Sequence, residues 1–88
     1  MTLYFFYGKE CPHCQSMEPL VENLEDEGFE VEWLETWHDE ENAEKKEELD
    51  DGKCGGVPFF YNTESDQWIC GETSFMELEK WAEGEKIS

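Results

Sequence analysis

Leu3-Tyr4-Phe5-Phe6-Tyr7 is a run of five apolar residues with no polar alternation, in a chain of which 34% is charged. A strand of that kind needs cover on both faces, which fits the middle of a partly parallel sheet with helices above and below. No stretch approaches the roughly 20 apolar residues of a membrane span. The run is also too short and too strand-like for a secretory signal peptide. The 88 residues then suffice for one domain, residues 1–88, with one modest core. Aromatic residues make up 15% of the chain and help a short sequence bury enough apolar area.

The rest of the chain supplies the covering elements. Gly8-Lys9-Glu10 turns away from the first strand. Met17, Leu20, Val21 and Leu24 then recur at helical spacing, with Pro12 suited to a first turn, Pro19 expected to kink the helix and Gly28 to stop it. Val31 and Trp33 alternate with Glu30, Glu32 and Glu35 as a half-exposed second strand that includes Phe29 at its edge. A strand–helix–strand step implies a right-handed crossover and a parallel pair. Asp39 is placed to cap a thinly apolar, exposed helix from about Glu40 to Asp51, in which Lys45 and Lys46 belong to a solvated face with some i, i+4 pairing. Val57-Pro58-Phe59-Phe60-Tyr61 reads as a third strand, Asn62 to Asp66 as a turn, and Gln67-Trp68-Ile69-Cys70 as its antiparallel return. Ser74 and Glu77 form a capping box for a last helix with Phe75, Leu78, Trp81 and Ala82 on its core face. Trp33 and Trp68 read as core with Trp81, and the tail from Gly84 as frayed. The predicted order is β-α-β-α-β-β-α, an α/β fold with a four-stranded mixed sheet and helices on both faces.

Chemistry is concentrated in Cys11-Pro12-His13-Cys14, at the junction of the first strand and first helix. Open α/β sheets bind ligands beyond the carboxyl ends of their parallel strands, where this segment falls. Two intervening residues let one helical turn bring the sulfurs within disulfide reach. A cysteine at a helix N-terminus gains from unpaired N–H groups and the helix dipole, which stabilise a thiolate, the nucleophile of disulfide exchange. Glu10, directly before Cys11, opposes this in part. A protonated His13 beside the sulfurs would favour the thiolate; the plainer reading is a solvent-facing residue of small effect. Trp37 and His38 follow the second strand and are candidates for the rim of the site, although packing and surface roles are the commoner ones.

These residues resemble a family. The strand-linked C-x-x-C, Pro19 five residues after Cys14 and Val57-Pro58 opening the third strand are together similar to thioredoxin-fold oxidoreductases of glutaredoxin size, over nearly the whole chain. The resemblance implies that Cys11 is the exposed attacking thiolate and that Cys14 resolves the mixed disulfide. It implies that Pro58, if cis, shapes a substrate groove with Gly56, Val57 and Gly71. Pro12, His13 and Lys9 would tune the site. It implies a protein-disulfide oxidoreductase with no cofactor or metal beyond its redox-active disulfide, served by a reductase or a small thiol. The Pro-His dipeptide is similar to that of bacterial periplasmic disulfide oxidants. Glutaredoxins carry Pro-Tyr there and Thr before Val-Pro, where this chain has Gly56, and Cys70-Gly71-Glu72-Thr73 stands where they hold glutathione.

The chain carries 24 acidic residues against six lysines and no arginine, a net charge of −18. Such a field repels nucleic acid, anionic membrane and glutathione alike, and suits a solvated surface relieved by salt. With neither a membrane span nor a signal peptide read in the sequence, the expected protein is a cytoplasmic monomer acting on protein disulfides. Cys54 and Cys70 both fall near the active-site end of the sheet. They read first as two small buried hydrophobes and next as a second disulfide, an auxiliary redox pair. The alternative for the whole protein is a binding module holding Zn or an Fe–S cluster on its four cysteines.

Overall fold

The computed structural model describes residues 2–84. The elements are β1 (Leu3–Tyr7), α1 (Pro12–Asp26), β2 (Val31–Glu35), α2 (Glu40–Asp50), β3 (Phe59–Asn62), β4 (Gln67–Cys70) and α3 (Phe75–Glu83). The sheet order is β2-β1-β3-β4. β1 runs parallel to β2 and antiparallel to β3, and β4 returns antiparallel to β3.

The unbroken apolar run of β1 is explained by two cores. Leu3 and Phe5 face one side of the sheet, packing with Met17, Val21 and Leu24 of α1 and Leu78, Trp81 and Ala82 of α3. Phe6 faces the other with Phe59, Tyr61 and Leu49 of α2. Phe5 stacks on Phe60 with centroids 5.0 Å apart, and Trp81 meets Phe60 edge-on at 5.5 Å. Such aromatic pairs add about 0.5–1.5 kcal/mol each beyond area burial. The Trp81 indole N–H donates to the Gln67 carbonyl, so burying this large side chain leaves no orphan donor.

Local signals set the ends. Cys11 caps α1 and Asp39 caps α2. Ser74 Oγ accepts from the Glu77 N–H, while the Glu77 carboxylate takes the Thr73 hydroxyl at 2.6 Å. The buried Asn62 amide spans the hairpin: its oxygen accepts from the Glu64 and Ser65 N–H groups, and its nitrogen donates to the Trp81 carbonyl. α1 continues through Pro19, which is exposed.

Several expectations are corrected. β2 begins at Val31, and Phe29 packs against the first core from outside the strand. β3 begins at Phe59, because ladder pairing with β1 starts at Phe59 opposite Phe6 and Pro58 has no N–H to contribute. Trp68 is 38% exposed rather than core. It lies beside Tyr61 on the edge strand, while α2 covers the other end of that face, over β2. Lys46 is not on a solvated face: it is 8% exposed and paired to Asp50 at 2.6 Å. Lys45 does stand at the surface, with its ammonium 4.4 Å from the centre of the Tyr4 ring.

Apart from Asp50 and Glu35, the acidic residues lie largely on the surface, with few lysines among them. Self-repulsion should therefore weaken the fold at low salt. Raising NaCl to about 1 M shortens the Debye length to ~3 Å. The thermal midpoint is expected to rise by several degrees over that range. A midpoint insensitive to salt would show that this repulsion costs the fold nothing.

Candidate active site

Cys11 and Cys14 occupy the first turn of α1, at the carboxyl end of β1. The turn before them is held by main-chain bonds: the Cys11 N–H donates to the Gly8 carbonyl at 3.1 Å, and the Gln15 N–H to the Cys11 carbonyl at 3.0 Å. Cys11 Sγ accepts from the Cys14 N–H at 3.2 Å, and its thiol lies 3.9 Å from the Val57 carbonyl oxygen. Cys14 Sγ accepts from the Gly8 N–H at 3.5 Å. Both cysteines are free and close together.

The two sulfurs are not equivalent. Cys14 is fully buried, and burial, followed by its hydrogen bond with Cys11, pushes its thiol up to about 12 against the Gly8 N–H, which pulls the other way. Cys14 is thus a neutral thiol at neutral pH. Cys11 is not the exposed group implied by the family resemblance: only 4% of it is accessible, with the Cys14 amide and the Val57 carbonyl against its sulfur.

The Val57–Pro58 peptide bond is cis. Pro58 is buried, and its carbonyl accepts from the Gly71 N–H at 2.8 Å. Gly71 has φ +89°, a conformation that side chains rarely adopt, as it leaves β4. Gly56 is exposed beside Val57. His13 is 73% exposed and meets Glu72 with 3.3 Å between Nδ1 and Oε1, so it faces the segment after β4. The groups against the sulfurs are backbone ones. Pro12 takes the first helical position, and Lys9 is exposed, contributing its main-chain N–H and carbonyl to the turn.

Two features carry no signal in the sequence. The first is the position of Glu35 at the end of β2. Its carboxylate accepts N–H groups of Lys9, Trp37 and His38 at 2.7–3.2 Å and meets the His38 ring at 3.1 Å. It therefore ties the turn before Cys11 to the loop after β2. Partial burial opposes its charge, but these donors outweigh that cost and hold its pKa at about 2, below the ordinary 4.5. A depressed carboxyl stabilises the fold above its unfolded value and loses that contribution as pH falls through its folded value. Stability of about 1–2 kcal/mol should disappear between pH 4.5 and about 2. In Glu35→Gln, acid unfolding followed by circular dichroism should show a shallower slope in that window; an unaltered slope would mean the clamp is not formed in solution.

The second feature is the approach of Trp37 to Gly8. A Cβ on Gly8 would lie 2.3 Å from the indole, so glycine is required there by space rather than by its dihedral angles. Trp37 is nevertheless 52% exposed and stands at the rim. His38 bridges Glu35 and Glu10 at the surface. A cavity of about 500 Å³ opens between α2 and the segment leading to Pro58, with Trp37, Lys46, Glu47, Asp50, Gly56 and Val57 among its lining residues.

Cys54 and Cys70 form a disulfide with their Cα atoms 5.5 Å apart. The register places Cys70 opposite Phe59, on the face that Cys54 also approaches. Cys70 is exposed and Cys54 half-buried, so neither is the small core hydrophobe that the sequence suggests first. The pairing leaves two free thiols for ligation rather than four. Among the described residues, no group of three or more His, Cys, Asp or Glu side chains is arranged to hold a metal ion. No helix among them is long and apolar enough to cross a membrane.

Among solved structures, the chain is similar to a glutaredoxin from Archaeoglobus fulgidus, with 25% identity and a TM-score of 0.54 over 90% of this chain and 83% of that one. This is a thioredoxin-like fold of the glutaredoxin kind. The glutaredoxin-like likeness supports a redox role at the level of the fold. No protein-family profile and no curated protein matches the chain.

Proposed function

We propose that this protein is a thiol–disulfide oxidoreductase acting on protein disulfides through Cys11 and Cys14. The observation that carries the reading is the inequivalent sulfur pair. One thiol caps a helix and receives a main-chain N–H, and the other is buried one turn deeper and held protonated. Cys11, as thiolate, attacks one sulfur of a substrate disulfide. A Cys11–substrate bond forms, and the other substrate sulfur leaves as a thiolate that takes up a proton. Cys14 then attacks Cys11 Sγ, its proton passing to the departing second substrate thiolate. The products are two substrate thiols and a Cys11–Cys14 disulfide, so two electrons have moved from protein to substrate. A reductase or a small thiol restores the dithiol by the reverse exchange. The chemistry requires no group beyond the two sulfurs.

The rim favours a protein partner over glutathione. Glu10, Glu35 and Glu72 are held around the site by the histidine pairs, and Glu47 and Asp50 line the adjoining cavity. An anionic tripeptide meets this field unfavourably, whereas a protein disulfide presents backbone and side chains for the groove formed by Val57, Pro58 and Gly71.

The test is an equilibrium redox titration of the protein, with alkylated cysteines counted by peptide mass, together with turnover of a protein disulfide. A reversible two-electron transition at Cys11 and Cys14 with catalytic turnover is expected. A potential near about −270 mV would mark a reductant and one near about −120 mV an oxidant. Absence of a reversible transition at this pair would overturn the proposal.

A further inference from the structure

The disulfide outside the site is attached to both segments that confront Cys11. Cys54 lies three residues before Val57, whose carbonyl oxygen sits 3.9 Å from Cys11 Sγ. Cys70 immediately precedes Gly71, whose N–H holds the Pro58 carbonyl. The bridge thus fastens the segment leading into Val57-Pro58 to the end of β4. Little regular structure does this otherwise. Residues 51–58 form no helix or strand, and three of them, Asp51, Gly52 and Gly55, have positive φ. Apart from the bridge, the segment is held by the Asp50 carboxylate, which accepts the N–H groups of Cys54 and Gly55, by the Lys53 N–H on the Asp50 carbonyl and by packing of Val57 on the second core. With the bridge closed, Cys11 is almost wholly covered.

We propose that Cys54–Cys70 is a second thiol–disulfide exchange site, whose opening by a dithiol reductant releases the Val57 segment and uncovers Cys11. The inference concerns access to the dithiol assigned above, but it does not depend on what that dithiol reduces. Cys70 is the exposed half of the bridge and the point of attack. A thiolate of the dithiol reductant bonds to Cys70 Sγ, and the bond to Cys54 breaks, leaving Cys54 as a thiolate that takes a proton. The reductant's second thiol closes on its first sulfur and expels Cys70. The reductant leaves as a disulfide, and its two electrons and two protons end on Cys54 and Cys70. Opening removes the covalent tie and leaves the Asp50 and Gly71 hydrogen bonds, so the segment loosens while the sheet stays intact. The protein would then be least reactive when its surroundings are oxidising.

The measurement is the rate at which iodoacetamide modifies Cys11, read by peptide mass, in a Cys14→Ser variant that cannot close the active-site disulfide. The same chain is compared with its bridge closed and after the bridge has been opened by dithiothreitol. A Cys14→Ser/Cys54→Ser/Cys70→Ser variant supplies a permanently open form. Opening is expected to speed Cys11 modification about tenfold, within the ~5–150-fold range of couplings between sites. Hydrogen exchange at residues 54–58 and 71 should quicken in the open form. Equal modification rates in both states would overturn the proposal, as would a bridge that resists dithiothreitol until the chain unfolds. Both results would leave the proposed function standing. A Cys11 that responds to the bridge in a protein with no disulfide turnover would instead overturn the proposed function and support the gate.

Discussion

Replacing Cys11 by Ser is expected to lower protein-disulfide turnover by about three orders of magnitude or more, and replacing Cys14 by Ser to stall the protein as a mixed disulfide. The two outcomes differ because the sulfurs do. Cys11 is the cap of α1, and its sulfur receives the Cys14 N–H. A serine keeps that hydrogen bond but offers an alkoxide precursor of far higher pKa than a thiol, so the nucleophile is lost while the turn survives. Cys14 is buried and held as a thiol near pKa 12. Serine in its place leaves the first exchange possible and removes the buried thiol that would release the adduct. Mass spectrometry of Cys14→Ser after mixing with a protein disulfide should find one substrate half attached to Cys11. Turnover surviving in Cys11→Ser, or an adduct carried by Cys70, would move the chemistry to the other pair and sink the assignment.

Much of the frame was legible because its signals are local or periodic. β1 was marked by an unbroken apolar run, α1 by helical spacing from Met17 to Leu24, and α3 by its capping serine. The C-x-x-C fell where the strand order placed it. What escaped was set by which elements meet across space. Trp68 looks like core in sequence, but its strand lies at the sheet edge and 38% of it stays accessible. Lys46 looks like one of many solvated charges, and only the passage of α2 over Phe59 buries it. Glu35 is one glutamate among many; its three partner residues, Lys9, Trp37 and His38, come from segments on both sides of the site. Spacing likewise left the pairing of Cys54 with Cys70 open, since it depends on how the loop before Pro58 returns toward β4.

Asp50→Ala should be the most damaging single change on α2, costing about 3–5 kcal/mol of unfolding free energy. The Asp50 carboxylate does three things at once. It pairs with the Lys46 ammonium at 2.6 Å, accepts the Gly55 N–H at 2.7 Å and accepts the Cys54 N–H. Burial alone would raise its pKa, yet these donors lower it, so the ionised form is the one the fold holds. Alanine would leave Lys46, 8% exposed, without the carboxylate it pairs with, and two loop N–H groups without their acceptor. The attraction is easily overstated, because desolvating two charges offsets most of the gain from pairing them. The cost of the variant lies in orphaning Lys46. Adding Lys46→Met to Asp50→Ala should therefore recover a substantial part of the loss. Asp50→Asn should fall between, since one amide oxygen still accepts a loop N–H. Urea unfolding of the four proteins, with the Cys54–Cys70 bridge verified as closed in each, measures this directly. If Asp50→Ala costs less than about 1 kcal/mol, the pair behaves as a surface salt bridge and its carboxylate does not anchor the segment leading to Val57.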